Sequence, residues 1–566
     1  MNFALKPHRT GSRRTLALVL TLLIGSGLAA AVSGQSLADR LDEYLNAAHD
    51  VQQFHGAALI AKDGKPILKK GYGMASIELG VPNTPDKKFL IGSITKQFTA
   101  VAVLQLVEKG LVSLDDPVTK FVPEYPKETA DGVTIHHLLR HSSGVPSYTD
   151  DLDLMARRTE PGTMEEILAA FKDKPLEFEP GEKYKYSNSG YALLGLVIEK
   201  ASGMSYEDYL RQNVLGPAGM KNSGYGHHDI ILPGRAVGYT EGENDELLNA
   251  YVVHMSWPYS AGALYSTVED MLLWDQALYT DKLLSQGSID KMFTAGLGNY
   301  GYGWGVRKAF DRRVVRHNGG IDGFYTSFMR FIDDKVCIVV FSNNDSAPVD
   351  DIANGLAAVT FGELYELPAV KTPIEIEPEL LADYEGVYRV DSVDHRIVTV
   401  EDGRIYSMRT GGQRLEIFPE ARDKFYFEHN HMLTVEFVRD ESGKVVHHVM
   451  HRVTGDEDPA VKLSDAEAEK VLAVYKPAEV DPAIYDDYVG EYRLMPEFTI
   501  VVALRGDRLF TQATGQEEAE IFPRSESRFF LKVIDAELEF VRDETGKVTG
   551  LVFYQGEREM PAEKIK

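Results

Sequence analysis

The sequence predicts an α/β (α+β) domain, in which an antiparallel sheet is flanked by helices and joined to a helical lobe, followed by two all-β antiparallel barrels. Two observations predict this arrangement. β-like runs lie at both ends of segment 36–365 and enclose a long helical stretch. Residues 380–566 then contain one unit twice. A chain of 566 residues also exceeds what one hydrophobic core usually supports, so several domains are expected.

Composition and charge exclude some classes of function. The chain has 60 basic and 86 acidic side chains, which gives a formal net charge of −26. Because a phosphate backbone would be repelled by this charge, we expect no nucleic-acid partner. The single cysteine, Cys337, excludes an intramolecular disulfide and lies in an apolar run that predicts a buried thiol.

The first 34 residues have the pattern of a secretory signal peptide. Basic residues, including Arg13 and Arg14, precede an uncharged run from Leu16 to Val32, and small residues follow. The run is also near the lower length limit of a membrane anchor, which is the alternative interpretation. We therefore predict a signal peptide at 1–34, no membrane span after its removal, and a periplasmic or secreted mature protein.

The first domain, 36–365, is predicted from strands at its two ends. "HGAALIAKDGKPILKKGYG" at 55–73 is typical of a strand, an Asp-Gly turn and a second strand. Helical patterns and loops fill residues 93–280, and several β-like runs follow before a closing helix near 349–361. A cleft between the sheet and the helical lobe is the expected pocket.

An internal repeat follows the first domain. "DYEGVYR" at 383–389 recurs as "DYVGEYR" at 487–493, an offset of 104 residues, and "EFVRDESGKV" recurs as "EFVRDETGKV". Short β-rich runs alternate around Asp-Gly or Gly-Asp turns, and closure into a barrel would remove exposed strand edges. We expect barrels at 380–464 and 482–566. Their preferred role is scaffold and cleft wall, with ligand binding as the alternative.

The segment "FLIGSITKQFTAVAVLQLVEKG" at 89–110 contains a candidate nucleophile. Ser93 and Lys96 are three residues apart, so on a helix they lie on one face. A neighbouring amine can activate a serine hydroxyl, and an N–H in the first helical turn can bind a developing oxyanion. The spacing alone decides little, because Ser288 and Lys291 repeat it where helix capping explains the serine.

Two further motifs distinguish Ser93 from that second match. "YKYSNSGY" places Tyr186 and Asn188 before a helix, and "RHNGGIDGFY" begins its motif at His317, beside a strand. The order SxxK, YxN and His-x-Gly resembles the penicillin-recognising serine hydrolases, which include class C β-lactamases, D-alanyl-D-alanine peptidases, esterases and D-aminopeptidases. The segments "VTIHHLLRHSSGVPSY" and "SAGALYSTVEDM" extend this resemblance, which covers about residues 40–362.

The resemblance implies a β-lactamase/transpeptidase-like domain followed by two lipocalin-like barrels, as in the D-aminopeptidase branch. It implies that Ser93 attacks a carbonyl and carries the acyl group, while Lys96 holds the proton network. Tyr186 would be general base and then acid, with its pKa lowered by the lysine. The N–H groups of Ser93 and Gly320 would form the oxyanion hole. The implied substrate-binding residues are Asn188, His317, Asn318, Gly319 and Gly320.

His317 departs from the β-lactamase pattern, which has a lysine in its strand motif. A histidine with an unperturbed pKa is mostly neutral at pH 7, so a permanent cation for substrate carboxylates is missing. We therefore predict a serine hydrolase that acts on small-molecule or short peptide substrates and cleaves amide, D-amino-acid peptide or ester bonds through an acyl-enzyme. The alternatives are a β-lactamase and a penicillin-binding sensor that does not turn over.

No cofactor and no metal are expected, although a metal site is a rival interpretation. Because successive side chains of a strand point to opposite faces, several histidines of the first repeat could lie on one face. The HExxH pattern is absent, and the second copy has Val533 and Asp535 at two of the equivalent positions, so zinc is less favoured. The histidines considered for this metal site are His137, His141, His429, His431, His447, His448 and His451. The sequence leaves the oligomeric state open.

Overall fold

A computed structural model describes residues 35–566 except 131, 243–245, 392–393, 428–429, 453–456, 496–497 and 556–557. The predicted signal peptide and His429 lie outside the described residues, as does the side chain of His431. Within the described ranges, no helix is both long enough and apolar enough to cross a bilayer.

The first domain contains thirteen strands in the part of the chain that the structure describes. They are β1 Gly56–Lys62, β2 Lys65–Tyr72, β3 Met74–Ser76, β4 Val81–Pro82, β5 Phe89–Leu90, β6 Gly224–Tyr225, β7 Tyr239–Glu241, β8 Leu247–Asn249, β9 Leu264–Ser266, β10 Gly305–Ala309, β11 Arg312–Ile321, β12 Phe324–Phe331 and β13 Val336–Ser342. Six of them form one antiparallel sheet in the order β10-β11-β12-β13-β1-β2. The two early strands therefore pair with the late ones, as the sequence predicts.

The helices of the same domain cover both faces of this sheet and form a helical lobe beside it. They are α1 Leu37–Gln52, α2 Thr95–Glu108, α3 Lys127–Ala130, α4 Ile135–Leu139, α5 Leu152–Ala156, α6 Met164–Ala169, α7 Asn188–Ser202, α8 Tyr206–Leu210, α9 Gly216–Ala218, α10 Tyr259–Gly262, α11 Val268–Ala277, α12 Gln286–Met292 and α13 Val349–Phe361. The predicted closing helix near 349–361 is α13.

Strand β1 shows why the sheet is covered on both sides. Its sequence "GAALIAK" is apolar almost throughout and is buried from Gly56 to Ala61. Leu59 packs into the core shared with α2 and α11, whereas Ala58 and Ile60 pack into the core shared with α1 and α13. A continuous apolar run is typical of a strand with two buried faces.

Helix α2 is buried on all sides, so its polar residues need internal partners. Gln97 accepts a hydrogen bond from the indole N–H of Trp274 at 3.0 Å, and the hydroxyl of Thr99 lies 2.7 Å from that of Tyr206. Lys96 belongs to the same buried set. The second Ser-x-x-Lys match lies in α12, where Ser285 and not Ser288 is the capping residue, and Ser288 instead donates to Glu108 at 2.6 Å.

The repeat folds into two closed antiparallel barrels of eight strands each, as predicted. Short helices α14, Pro378–Tyr384, and α15, Asp465–Leu472, accompany the first barrel. The first barrel consists of β14 Gly386–Arg389, β15 His395–Glu401, β16 Arg404–Arg409, β17 Arg414–Ala421, β18 Lys424–Phe427, β19 Asn430–Arg439, β20 Val445–His451 and β21 Glu457–Lys462. The second consists of β22 Gly490–Met495, β23 Phe498–Arg505, β24 Arg508–Ala513, β25 Ala519–Pro523, β26 Arg528–Leu531, β27 Ala536–Arg542, β28 Val548–Gln555 and β29 Arg558–Lys564.

Candidate active site

Ser93 lies in a single 3-10 turn, Gly92–Ile94, that leads into α2. Gly92 has a φ of +48°, in the left-handed region that favours glycine. A Cβ added to Gly92 would lie 2.9 Å from the carbonyl oxygen of Gly320 and 3.0 Å from its nitrogen. The turn and the end of β11 therefore approach each other closely, which brings Ser93 and Gly320 to one cleft.

Gly319 makes this approach possible from the side of the strand. A Cβ at Gly319 would lie 1.9 Å from the carbonyl oxygen of Ile91, so no other residue fits there without a backbone shift. The hydroxyl of Thr326 lies 3.1 Å from the oxygen of Ile91 and 3.0 Å from that of Gly319. Strand β12 thus ties the serine turn to the glycine-rich end of β11.

The amine of Lys96 is surrounded by three oxygen atoms. Its Nζ lies 3.0 Å from Ser93 Oγ, 2.8 Å from Asn188 Oδ1 and 2.9 Å from the carbonyl oxygen of Ala261. The side chain is fully buried, and this burial lowers the pKa of Lys96 well below its usual value. Burial therefore disfavours the charged form of the amine.

A neutral Lys96 fits these partners in one way. The oxygen of Ala261 and Oδ1 of Asn188 can only accept hydrogen bonds, so they take the two N–H groups of the amine. The remaining lone pair then points to Ser93 Oγ, whose proton it can accept. The surroundings of Lys96 thus set up a base at hydrogen-bond distance from the candidate nucleophile.

Asn188 is held at the first turn of α7. The hydroxyl of Ser187 caps this helix, and the backbone N–H of Asn188 donates to Ser147 Oγ at 3.1 Å. The side-chain amide donates from Nδ2 to Thr149 Oγ1 at 3.1 Å, which leaves Oδ1 for Lys96. The loop that carries Ser147 and Thr149 therefore orients the amide.

Tyr186 completes the group around Ser93. Its phenol hydrogen-bonds with Ser93, and Lys96 Nζ lies 4.8 Å from the centre of its ring. The ring packs on the buried imidazole of His141, with ring centres 4.2 Å apart. The predicted lowering of the pKa of Tyr186 is wrong: burial raises this pKa, and a lysine that is itself disfavoured as a cation does not offset the effect.

His317 is buried, and both of its ring nitrogens have partners. Nδ1 lies 2.6 Å from the carbonyl oxygen of Asn318, and Nε2 lies 2.8 Å from the hydroxyl of Tyr300. Because a carbonyl only accepts, Nδ1 carries the hydrogen and Nε2 accepts from Tyr300. Burial lowers the pKa of His317 to about 4, so the imidazole is neutral near pH 7.

The side chain of Asn318 points to the other face of the sheet, since successive residues of a strand alternate. Its Nδ2 donates to Asp350 Oδ2 at 2.7 Å and to the hydroxyl of Tyr325 at 2.9 Å. The side chain of Asn318 therefore points away from Ser93, and its assignment as a substrate-binding residue stays a prediction. The other predicted residues, Ser93, Lys96, Tyr186, Asn188, His317, Gly319 and Gly320, lie on the side of Ser93.

A cleft of about 180 Å³ opens above Ser93. The charged pair of Arg158 and Asp322 lies in its wall, with Nε and Oδ2 2.8 Å apart. The motifs do not single out these two residues, because Arg158 lies in a segment without a recognisable pattern and Asp322 lies in "RHNGGIDGFY" at a position to which the motif assigns no role. Tyr148, which ends the segment "VTIHHLLRHSSGVPSY", also lines the cleft, and the lining residues outside the quoted segments include Thr149, Met155, Val253 and Trp257.

The described residues contain no group of three or more His, Cys, Asp or Glu side chains placed to hold a metal ion. Of the histidines considered for zinc, His137 instead lies at the start of α4, with Nδ1 3.1 Å from Thr134 Oγ1. His141 accepts from the backbone N–H of Ser187 at 3.1 Å. Both rings therefore have structural contacts in this domain.

Two parts of the chain, the first domain and the C-terminal region, match known protein families. A family model described as beta-lactamase matches residues 39–360, and one for a domain of unknown function (DUF3471) matches residues 475–565. The chain is 32% identical over 400 residues to penicillin-binding protein 4* of Bacillus subtilis, a match that covers 66% of this chain and 88% of that protein.

Two solved structures are similar to the chain. The octameric penicillin-binding protein homologue from Pyrococcus abyssi is 28% identical with a TM-score of 0.54, and the match covers 75% of this chain and 99% of that one. The D-stereospecific amidohydrolase from Streptomyces sp. is 25% identical with a TM-score of 0.51, covering 58% and 99%.

Proposed function

The chain belongs to the beta-lactamase family of serine hydrolases, and on this premise we propose that Ser93 forms an acyl-enzyme with small amides, D-amino-acid peptides or esters. The observation that carries the proposal is the position of Lys96 Nζ, which lies 3.0 Å from Ser93 Oγ. Its two other partners, Asn188 Oδ1 and the carbonyl oxygen of Ala261, can only accept hydrogen bonds. This arrangement turns a weak hydroxyl nucleophile into a reactive one.

The proposed acylation begins with transfer of the Ser93 proton to the neutral Lys96 amine while Oγ attacks the substrate carbonyl. The N–H groups of Ser93 and Gly320 would stabilise the oxyanion. Tyr186, whose raised pKa keeps the phenol protonated, would donate its proton to the leaving nitrogen or oxygen. Lys96 would return a proton to the phenolate, which restores both groups and leaves the acyl-enzyme.

Deacylation would use the same groups in reverse roles. A water molecule above the ester would lose a proton to Lys96 or through Tyr186, attack the acyl carbon and release the acid, while Ser93 regains its proton. The proposed roles of Lys96 and Tyr186 thus differ from the sequence-based expectation. The amine of Lys96 is the base for Ser93, and the phenol of Tyr186 acts first as an acid.

Two features support amides, D-amino-acid peptides or esters over β-lactams. The imidazole of His317 is neutral and both its nitrogens are occupied, so the strand offers no permanent cation to a substrate carboxylate. The cleft of about 180 Å³ is below the usual range of about 300–1,000 Å³ for ligand pockets, which favours a small acyl group. The similar Streptomyces protein is a D-stereospecific amidohydrolase.

Export remains part of the proposal. The charged, apolar and small-residue pattern of residues 1–34 supports a signal peptide and a periplasmic or secreted enzyme. Mass spectrometry of the protein recovered from the culture medium or periplasm tests this point. An N-terminus near residue 35 is expected, whereas an intact residue 1 would contradict it.

A substrate panel tests the proposed activity. Wild type and Ser93→Ala are assayed with D- and L-alanine p-nitroanilides, p-nitrophenyl acetate and butyrate, and a chromogenic cephalosporin. We expect turnover of an anilide or ester that is lost in Ser93→Ala. Faster turnover of the cephalosporin would favour the β-lactamase alternative. A stable acyl adduct without product release would favour the sensor.

A further inference from the structure

The interiors of the two barrels differ in polarity at equivalent positions. Tyr388 pairs with Arg396 in the first barrel, and Tyr492 of the same repeated motif pairs with Ile500 in the second. Phe437 pairs with His448, whereas Phe540 pairs with Leu551. The second barrel therefore has buried aliphatic residues where the first has a cation and an imidazole.

His448 lies inside the first barrel. It is 1% exposed and packs against the rings of Tyr388 and Phe437, with ring centres 4.8 and 5.9 Å away. Neither ring nitrogen has a hydrogen-bond partner among the residues that the structure describes. A buried polar group without a partner is destabilising, and such groups are ordinarily satisfied by protein, ordered water or a ligand, so His448 is a candidate donor to a bound molecule.

Arg396 lies on the inner face of β15, two residues before the core residue Val398. Burial is the larger cause that lowers the pKa of His448, and Arg396 is close enough for its charge to lower this pKa further. Its Nη1 donates to Ser407 Oγ at 2.8 Å, and Nη2 lies 3.7 Å from Met450 Sδ. Its Nε is buried and has no partner among the described residues. Burial and other arginines lower the pKa of Arg396 to about 10, so the guanidinium stays charged at neutral pH.

The guanidinium also lacks an ion pair within the described ranges. Asp458 is the one carboxylate within these ranges whose charge raises the pKa of Arg396, and its Oδ2 already binds Arg452 Nε at 2.7 Å. A buried cation without a counterion is unfavourable. The same position in the second barrel is the buried Ile500, so closure of the barrel does not require a charge there.

We propose that the interior of the first barrel binds a small carboxylate between Arg396 and His448. Nε and the second N–H of Nη2 form a planar fork that matches the two oxygens of a carboxylate. The N–H of the neutral imidazole supplies a third donor. Tyr388 and Phe437 would contact the alkyl part of the acid. This site is independent of the chemistry at Ser93.

Ligand-observed NMR tests the proposal on the full mature chain in chloride-free buffer, with sodium butyrate as the probe and sodium phosphate as the comparison. The variants Arg396→Ile and His448→Leu introduce the residues of the second barrel. Each removes a hydrogen bond to a charged group, so we expect the dissociation constant for butyrate to rise at least about tenfold. Arg404→Ile, which changes an arginine that is 65% exposed on the same barrel, is the matched control and should bind as wild type does.

Circular dichroism melting shows that the variants are folded, and we expect an unchanged or higher Tm because the second barrel carries these same aliphatic residues in its buried interior. Saturable binding of butyrate that is lost in both variants supports the proposal. Absence of saturable binding in wild type, or equal binding in Arg396→Ile, would overturn it. Saturable binding of phosphate but not butyrate would overturn the assignment of a carboxylate.

Discussion

The function of Lys96 depends on one backbone atom far away in sequence. The Ser93–Lys96 contact follows from helical spacing and could be predicted. The carbonyl oxygen of Ala261, 2.9 Å from Lys96 Nζ, could not be, because a backbone acceptor leaves no pattern in side chains. In the proposed neutral form of Lys96, this oxygen and Asn188 Oδ1 would accept from the two N–H groups, which would leave the lone pair for the proton of Ser93.

Replacement of Lys96 tests the amine directly. We expect Lys96→Ala to lower kcat/KM for a p-nitrophenyl ester at least about a thousandfold, because proton transfer and activation of the nucleophile are lost together. Lys96→Arg should not rescue the rate, since a guanidinium does not give up its proton. The control is Lys291→Ala in the second Ser-x-x-Lys match, which should stay within about twofold of wild type. Equal loss in both variants would contradict the role of Lys96.

His317 makes stability depend on pH. Its folded pKa of about 4 lies below the ordinary value of about 6.5, so between these values the unfolded chain binds a proton that the folded chain does not. Stability from this group is therefore lost as pH falls from about 6.5 to 4, by about 3 kcal/mol.

Chemical denaturation at pH 7 and pH 4 measures this difference. Other acids and histidines also titrate, so the quantity to compare is the change in wild type minus the change in His317→Gln, which cannot titrate. We expect wild type to lose about 3 kcal/mol more than the variant over this interval. Identical losses would show that His317 is not buried in neutral form.

At the level of elements, the site is made by the contact between the serine turn and strand β11. The strand presents His317 and Gly319 to one side and Asn318 to the other, as the alternation of a strand requires. Behind it, Asp350 on α13 accepts hydrogen bonds from Asn318 and from Ser327 Oγ at 2.8 Å. The strand is therefore fixed from both faces.

Substitution of Gly92 tests the close approach. Ala at this position would be strained by its φ of +48° and would press on the backbone of Gly320, which moves the proposed oxyanion donors. We expect Gly92→Ala to lower kcat/KM about a hundredfold. Gly110→Ala is the matched control, because Gly110 has a φ of +70° with nothing within 4 Å of an added Cβ. Its activity should be that of wild type, and a similar loss in both would contradict the account.

Substitution of Asp350 tests the support behind β11. Asp350→Asn removes the charge that binds Arg316, Asn318 and Ser327, so we expect about 2 kcal/mol less stability in a thermal or urea melt. Because Asp350 does not line the cleft, we also expect a lower kcat with little change in KM. Asp333→Asn in the exposed turn after β12 is the control. An unchanged kcat in Asp350→Asn would show that this contact does not position the strand.

At the scale of the whole molecule, the sequence allows prediction of the architecture better than of the site. The repeat near 383 and 487 predicts two similar units, and each closes into an eight-stranded barrel. The offset of the repeat aligns Arg396 with Ile500, but that both positions face the barrel interior could not be predicted, because it depends on how the strands pair and close. Likewise, Arg158 reaches the cleft from a distant segment that carries no motif, and Asp322 from a position of "RHNGGIDGFY" to which the motif assigns no role.

The central claim is that one serine of the whole chain is activated. Incubation of the full chain with a fluorophosphonate, followed by intact mass and peptide mapping, measures this most directly. The account predicts a single adduct on Ser93 that is absent in Ser93→Ala and much slower to form in Lys96→Ala. An adduct on another serine, or equal labelling of Ser93→Ala, would contradict it.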